Sequence, residues 1–431
     1  MTLQKRLPGW ILSLLICAQS PYLWAQTGAN GTAQTAPARL RIFLDCPGMC
    51  DQDYLRQNIE FIDYVRERTV ADVHVLVTLQ GTGGGGIEWT VKFIGLGFFD
   101  KQDRTITFTT PQTATGDDRR KEFARIFKIG LVGYAAGTSV APQLDVTWRR
   151  PATALGSSAN VTADPWHYWV FRIGANGNMN GEASSNNRSI RFNFNGSRTT
   201  QKWKINIGGN SNSNLSRFKV SDSDTITSRS NGWNFNTLVV KSITPKWSYG
   251  ARANVSHSSF SNTDRQISFS PAIEYDIFPY SESSRRSLTI QYSAGVSKYD
   301  YRELTVYDKL RETVPNHGVN TSLGIRAPWG NVSASTTFVQ HLNHTDRYHV
   351  SIFGQTDIRL FKGFSFNIFG EYDRIRDQIA LRKGAASTEE VLLRVQQLAT
   401  GFSYFSSFGI SYSFGSIFNS TVNPRFNNGG F

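Results

Sequence analysis

The side chains that could do chemistry in this chain stand at alternate positions. Arg172, Arg191, Lys204 and Arg252 supply positive charge, and Glu274, Asp276, Asp357, Arg359, Glu371 and Asp373 follow further along. In an extended chain, residues two apart share a face. Glu371 and Asp373 would then sit side by side, the spacing of a general acid and its base. No nucleophile and no sugar-stacking platform accompanies them, so no residue is assigned a catalytic role. No His/Cys cluster offers a metal site, and no cofactor is implied. Around a water-filled lumen the same charges have two other uses. They can pair into a network that stiffens a narrow channel. They can also form a selectivity constriction, with Arg359 set against Asp357, Glu371 and Asp373 of neighbouring strands.

A repeated period of two would hold these side chains in place. Trp169, Phe171 and Ile173 flank Arg172, and Ile190, Phe192 and Phe194 alternate with Arg191, Asn193 and Asn195. Leu288, Ile290, Tyr292, Ala294 and Val296 alternate with Thr289, Gln291 and Ser293. Similar runs begin at Trp203, Trp233, Trp247, Ile267, Val319, Val332, Tyr348 and Phe364. The last run spans Gly401 to Phe414. Phe402, Tyr404, Phe408, Ile410, Tyr412 and Phe414 share one face, Ser403, Ser407, Gly409, Ser411 and Ser413 the other, and Phe405 and Ser406 break the rule. In a soluble sandwich the apolar face would turn inward, whereas in a membrane barrel it meets lipid and the polar face lines the lumen. The reading is an antiparallel transmembrane barrel of about twelve strands over residues 165–416, an even number that returns both ends to one side.

Composition agrees with this class. The 431 residues are 39% hydrophobic and 13% aromatic, mean hydropathy is −0.34, and no apolar run beyond the N-terminus reaches the roughly 18 residues of a membrane helix. Residues 1–25 read as a secretory signal, with Lys5 and Arg6, an apolar Trp10 to Cys17, and Ala25 before the cut. A lipid anchor on Cys17 is disfavoured because Ile16 precedes it where a small residue belongs. Cys46 and Cys50 remain, and an oxidising periplasm favours a local disulfide over two free thiols. The net charge of +13 suits anionic partners such as lipopolysaccharide, anionic solutes or peptidoglycan. Nucleic acid is not expected in that compartment.

Residues 38–150 read as a small periplasmic α/β domain in the order β-α-β-β-β-α. Arg39 to Asp45 is the first strand. Asp51 or Asp53 would cap a helix from Tyr54 to Arg68, with Leu55, Ile59, Ile62 and Val65 in one stripe. Asp72 to Leu79, Ile87 to Ile94 and Arg104 to Thr109 form a meander, and Asp117 or Asp118 would cap a last helix from Arg119 to about Ala136. Gly81 to Gly86 reads as a hairpin tip rather than a phosphate loop, because a strand follows it and the Lys-Ser/Thr pair is absent. His74 is expected on its strand's solvated face. Residues 151–164 would be a linker, with one strand just before it at Gln143 to Trp148.

Between the barrel strands, Arg198–Lys202, Thr244–Lys246, Ala327–Gly330 and Phe361–Gly363 read as tight turns. Asn212–Asn231, Asp300–Pro315 and Ile375–Thr400 read as long loops, the last with a short helix after Glu389-Glu390. Short turns on the periplasmic side would place the N-terminal domain and the C-terminus there. Trp166, Trp169, Trp203, Trp233, Trp247, Tyr292, Trp329 and Tyr348 are expected as interfacial girdles. Residues 417–431 form a tail. A lipid hydrolase with a Ser-His-Asn site is the catalytic alternative, and His257, His341 and His344 are its available imidazoles.

Ser407, Gly409, Tyr412 and Phe414 resemble the β-signal that outer-membrane proteins present to the barrel-insertion machinery. Asp164-Pro165-Trp166, Ala272-Ile273-Glu274-Tyr275, Arg374-Ile375-Arg376-Asp377-Gln378, Glu389-Glu390 and Ser413-Phe414-Gly415-Ser416-Ile417-Phe418 resemble uncharacterised bacterial outer-membrane barrels and, more weakly, the salt-induced outer-membrane protein family. The resemblance spans most of Pro165 to Phe426 and implies location and form without transferring a site. The expected function is a narrow passive pore or a structural membrane protein, the alternative being a module that docks a periplasmic protein partner.

Overall fold

The computed structural model describes residues 38–46, 48–147, 164–219, 225–361, 363–384, 397–418, 420–423 and 425. The expected leader at 1–25, the linker residues 151–163, and the helix after Glu389-Glu390 lie outside them.

The N-terminal part contains β1 (Leu40–Asp45), α1 (Gln52–Asn58), β2 (Ile62–Tyr64), β3 (Val73–Gly81), β4 (Ile87–Gly95), β5 (Arg104–Thr110) and α2 (Gly116–Ala135). The sheet order is β2-β1-β3-β4-β5, parallel on either side of β1 and antiparallel beyond it. Strict alternation on β3 and β4 puts Val73, Val75, Val77, Trp89, Val91 and Phe93 on one face. α2 buries Phe123, Phe127, Leu131 and Tyr134 against that layer, and each fully buried large apolar side chain contributes about 1.5–3 kcal/mol. Gly130 lets α2 approach, since any Cβ there would run into the Phe93 ring.

Three elements differ from the sequence reading. α1 stops at Asn58 instead of Arg68, and Ile62–Tyr64 becomes β2, pairing with β1. Ile62 and Tyr64 are buried alternately, so a strand seats both where a helix would seat one. α2 is capped by Thr115, with Asp118 closing a capping box from the third helical position. The strand expected at Gln143–Trp148 is a 3-10 turn at Ala141–Gln143 followed by irregular chain through residue 147.

Twelve strands follow: β6 (Trp169–Gly181), β7 (Ser185–Thr199), β8 (Trp203–Lys219), β9 (Thr225–Ser242), β10 (Trp247–Ser258), β11 (Thr263–Asp276), β12 (Arg286–Tyr301), β13 (Arg311–Ala327), β14 (Gly330–His341), β15 (Tyr348–Phe361), β16 (Phe364–Ile375) and β17 (Phe402–Tyr412). They form one antiparallel up-and-down sheet in chain order. Register fixes the faces. Arg252 lies opposite Ser270 and Leu238, and Gln291 opposite Glu274 and Asn320, so polar side chains share one face around the sheet. The other face is apolar and bare, with Ile173 83% and Phe408 77% exposed, which excludes a dry interior on that side.

The sheet curls. The segment after β16 reaches the β10–β11 connection, where Asn262 donates to the Ala380 carbonyl at 3.0 Å, and the N-terminal domain touches residues at both ends of the sheet, Ser197 of β7 and Phe414 just after β17. No ladder joins β6 to β17 among the described residues. The loop expected over Asn212–Asn231 is largely strand, since β8 runs to Lys219 and β9 starts at Thr225. At roughly 3.3 Å per residue these strands far outrun the 9–11 residues that cross a bilayer. Their outer parts need no apolar face, which is why the alternation fades there.

Candidate functional site

The end of the barrel bearing the turns β7–β8, β13–β14 and β15–β16 meets the N-terminal domain. Asp45, the last residue of β1, accepts two hydrogen bonds from Arg359, Nη1 at 2.5 Å and Nη2 at 2.8 Å. The same guanidinium lies 5.2 Å from the centre of the Phe43 ring. Beneath them is His74, fully buried on β3. Arg68 Nε donates to its Nδ1 at 3.1 Å, which leaves the proton of the neutral ring on Nε2, 3.6 Å from Asp45. Burial would raise the Asp45 carboxyl, but its bonds to Arg359, with the His74 ring close by, outweigh this and bring it down to about 2. Burial also pushes the His74 imidazole down, against the pull of Asp45. The solvated His74 expected from the sequence is instead packed under the charge pair.

The opposite side of the domain reaches the first barrel strands through its glycine-rich tip. Gly83 O accepts from Ser197 Oγ at 2.9 Å, and any Cβ on Gly83 would meet Thr199. Gly85 has φ +77°, and a Cβ there would lie 2.5 Å from Arg172 Nη2. Arg172, Ser197 and Thr199 all belong to the polar face. The hairpin expected from the sequence is present between β3 and β4, and its glycines let it approach the inner wall. Further contacts tie the domain to the rim. Arg326 Nη1 donates to the Leu79 carbonyl at 3.3 Å, and Arg66 Nη1 to the Phe414 carbonyl at 2.9 Å. The tail after β17 joins the free edge of β2: Val65 bridges Phe418, Arg66 N donates to Ile417 O at 2.9 Å, and Tyr64 N to Ser420 Oγ at 2.9 Å.

The inner face is divided by charge. On β6–β10 it carries Arg172, Arg191, Lys204 and Arg252 among Asn and Ser, with no carboxylate. On β11–β16 it carries Glu274, Asp276, Glu312, Asp357, Glu371 and Asp373, and the two arginines on that side, Arg326 and Arg359, are held by the N-terminal domain. A cavity of about 320 Å³ spans the divide, lined by Lys204 and Arg252 on one side and Glu274, Gln291 and Asn316 on the other. Gln291 Nε2 donates to Glu274 at 3.2 Å. Lys204, Arg252 and Glu274 make no ion pair among the described residues.

The far mouth is crossed by the chain that follows β16. Thr305 bridges Arg382, Asn262 donates to the Glu303 and Ala380 carbonyls, and Arg382 pairs with Glu303 at 3.2 Å. Ile379 and Thr305 are buried there.

The expected constriction of Arg359 with Asp357, Glu371 and Asp373 is not assembled. Asp357 is four residues from the β15 end and Glu371 lies opposite Phe353, while Asp373 is bonded by His349 Nε2 at 3.3 Å and Ser403 Oγ at 3.1 Å. Arg359 is bonded instead to Asp45, a partner with no local sequence signal. Of the imidazoles weighed for hydrolysis, His257 Nδ1 contacts the Asp264 carbonyl at 2.8 Å and His341 is buried, and no Ser–His hydrogen bond occurs among the described residues. Cys46 and Cys50 form a disulfide, Cα–Cα 6.0 Å, just after Asp45. Ser407 and Gly409 lie on the inner face of β17, and Tyr412 lies opposite Phe364 on the outer face, with Phe414 beyond the strand. The exceptions in this strand have partners. Phe405 faces inward against Phe369 at 5.6 Å, and Phe369 meets Phe353 at 5.5 Å. Ser406 lies opposite Gly370.

The fold is mainly β: a twelve-stranded antiparallel barrel sheet preceded by a small α/β domain. No protein-family model matches the sequence, and no curated protein does. Among solved structures it is similar to a NanC porin, at 10% identity over 56% of this chain and 99% of that one, TM-score 0.27. It is also similar to the translocator domain of the autotransporter NalP from Neisseria meningitidis, at 10% identity over 57% and 82%, TM-score 0.19. A third is CdiB from Acinetobacter baumannii, at 8% identity over 86% and 74%, TM-score 0.27. Likenesses at these scores lend no weight to any reading of function.

Proposed function

We propose that this chain is an outer-membrane barrel protein that forms a narrow passage, with its own N-terminal domain seated in the periplasmic mouth as a stopper. The observation that carries this is the span of that domain. It holds inner-wall residues of β6–β7 through the glycine tip and Arg359 of β15 through Asp45. The apolar outer face suits lipid and lipopolysaccharide, and Ser407, Gly409, Tyr412 and Phe414 are the residues the insertion machinery would read. The protein is non-catalytic in this reading.

Cysteines introduced at Gly84 and Val170 test it, since a Cβ on Gly84 would lie 3.8 Å from Val170 Cγ2, a span a disulfide can close. In planar bilayers the oxidised full-length variant should conduct less than the parent, and reductant should return it to the level of reduced parent. Equal currents in all four states would refute the stopper. Docking of a periplasmic protein is the second reading. It is favoured by β5, which ends the domain's sheet and has no strand on its outer side among the described residues. Its test is a pull-down by the full chain that a proline at Thr107 abolishes.

A further inference from the structure

The division of charge around the lumen points to the kind of solute the passage takes. We infer that the cavity between β8–β10 and β11–β13 is a binding site for small zwitterions that carry an amine and a carboxylate, such as α-amino acids. This rests on reading the lumen as a watered passage. Lys204 on β8 and Arg252 on β10 enter the cavity from a wall that has cations and carboxamides but no carboxylate. Glu274 enters from β11, on the wall that holds the carboxylates.

Opposite charges that share about 320 Å³ would ordinarily collapse into an ion pair, yet these three make none among the described residues. Sheet geometry holds them apart. Two strands, β9 and β10, stand between Lys204 and Glu274, and Arg252 lies opposite Ser270, not Glu274. Gln291 steadies Glu274 through one oxygen at 3.2 Å and leaves the other for a donor. A simple anion would satisfy Lys204 and Arg252 but leave Glu274 facing it, and a simple cation would meet the reverse. A zwitterion lying across the lumen places its carboxylate on the β8–β10 side and its ammonium on Glu274, so each charge-assisted hydrogen bond has a partner. Asn316 and Ser293 add neutral donors and acceptors along the solute's flank.

Saturation-transfer NMR on the full-length protein folded in detergent reads binding without needing an open passage. The probes are alanine, acetate, ethylamine and propane-1,2-diol. Alanine should give saturable transfer well above the other three. Glu274→Gln should weaken alanine about tenfold while sparing or strengthening acetate, and Lys204→Gln with Arg252→Gln should weaken both. Asn187→Ala, far along the same wall, should change neither. The inference is overturned if acetate or the diol binds as tightly as alanine in the parent, or if Glu274→Gln leaves alanine unchanged. Binding without conductance would remove the pore reading and keep the site. Conductance without binding would remove the site and keep the pore.

Discussion

Replacing Arg359 with Ala should unseat the stopper, and the size of the effect follows from the geometry. Two charge-assisted bonds to Asp45 are lost, together with the contact over Phe43. Breaking a fully buried pair costs about 3–5 kcal/mol, because the remaining charge stays dry. An exposed pair is worth about 0–1 kcal/mol. Here the Asp45 side chain is 15% exposed and that of Arg359 41%, so the pair falls between. A cost of about 1.5–2.5 kcal/mol multiplies the unseated population by roughly 10–60. Single-channel recording in planar bilayers measures that population as open probability. A second variant isolates the pair: Asp45→Asn on top of Arg359→Ala should add little, since the carboxylate stranded by the first change is gone. An open probability that does not move, or costs that simply add, would refute the assignment of Asp45–Arg359 as the latch.

Acid should loosen the same contact in two stages. His74 is buried with a lowered pKa, so its contribution is full above its unfolded value of 6.5 and is lost as pH falls towards the folded value. Asp45 follows, its contribution being full above 3.8 and lost only as pH falls through about 2. The thermal midpoint of the N-terminal domain should therefore drop between pH 7 and 5, and His74→Gln should flatten that slope. Gly85→Val should raise open probability, because it strains a positive φ and presses on Arg172, whereas Gly84→Ala, with nothing nearer than 3.8 Å, should not. Ile352→Lys on the outer face of β15 should cost about 2–4 kcal/mol of barrel stability in lipid, read from urea midpoints in vesicles, while Ser351→Lys on the inner face should be mild.

The barrel was legible because lipid on one side and water on the other imprint a period of two on each crossing. That imprint fades where strands leave the bilayer, so the polar ends of β8 and β9 read as a loop. Phe405 and Ser406 read as errors in the alternation, although Phe405 belongs to a ring cluster with Phe369 and Phe353 that only strand register reveals. The site was the least legible part. Asp45 and Arg359 lie 314 positions apart, and nothing near either names the other. Local reasoning paired Arg359 with the acids beside it. It also explained the glycines at 83 and 85 by turn geometry, when the proximity of Thr199 and Arg172 equally requires them.

The tail's addition to β2 sets an order of assembly. Tyr64 waits for Ser420, 356 positions later, so the α/β domain completes its sheet only with residues made after the barrel strands. Those residues follow β17, the strand that ends the barrel sheet. With the domain acting as a stopper, the seal is finished only when the membrane part is, and a chain cut short after Phe414 should conduct more than the full chain.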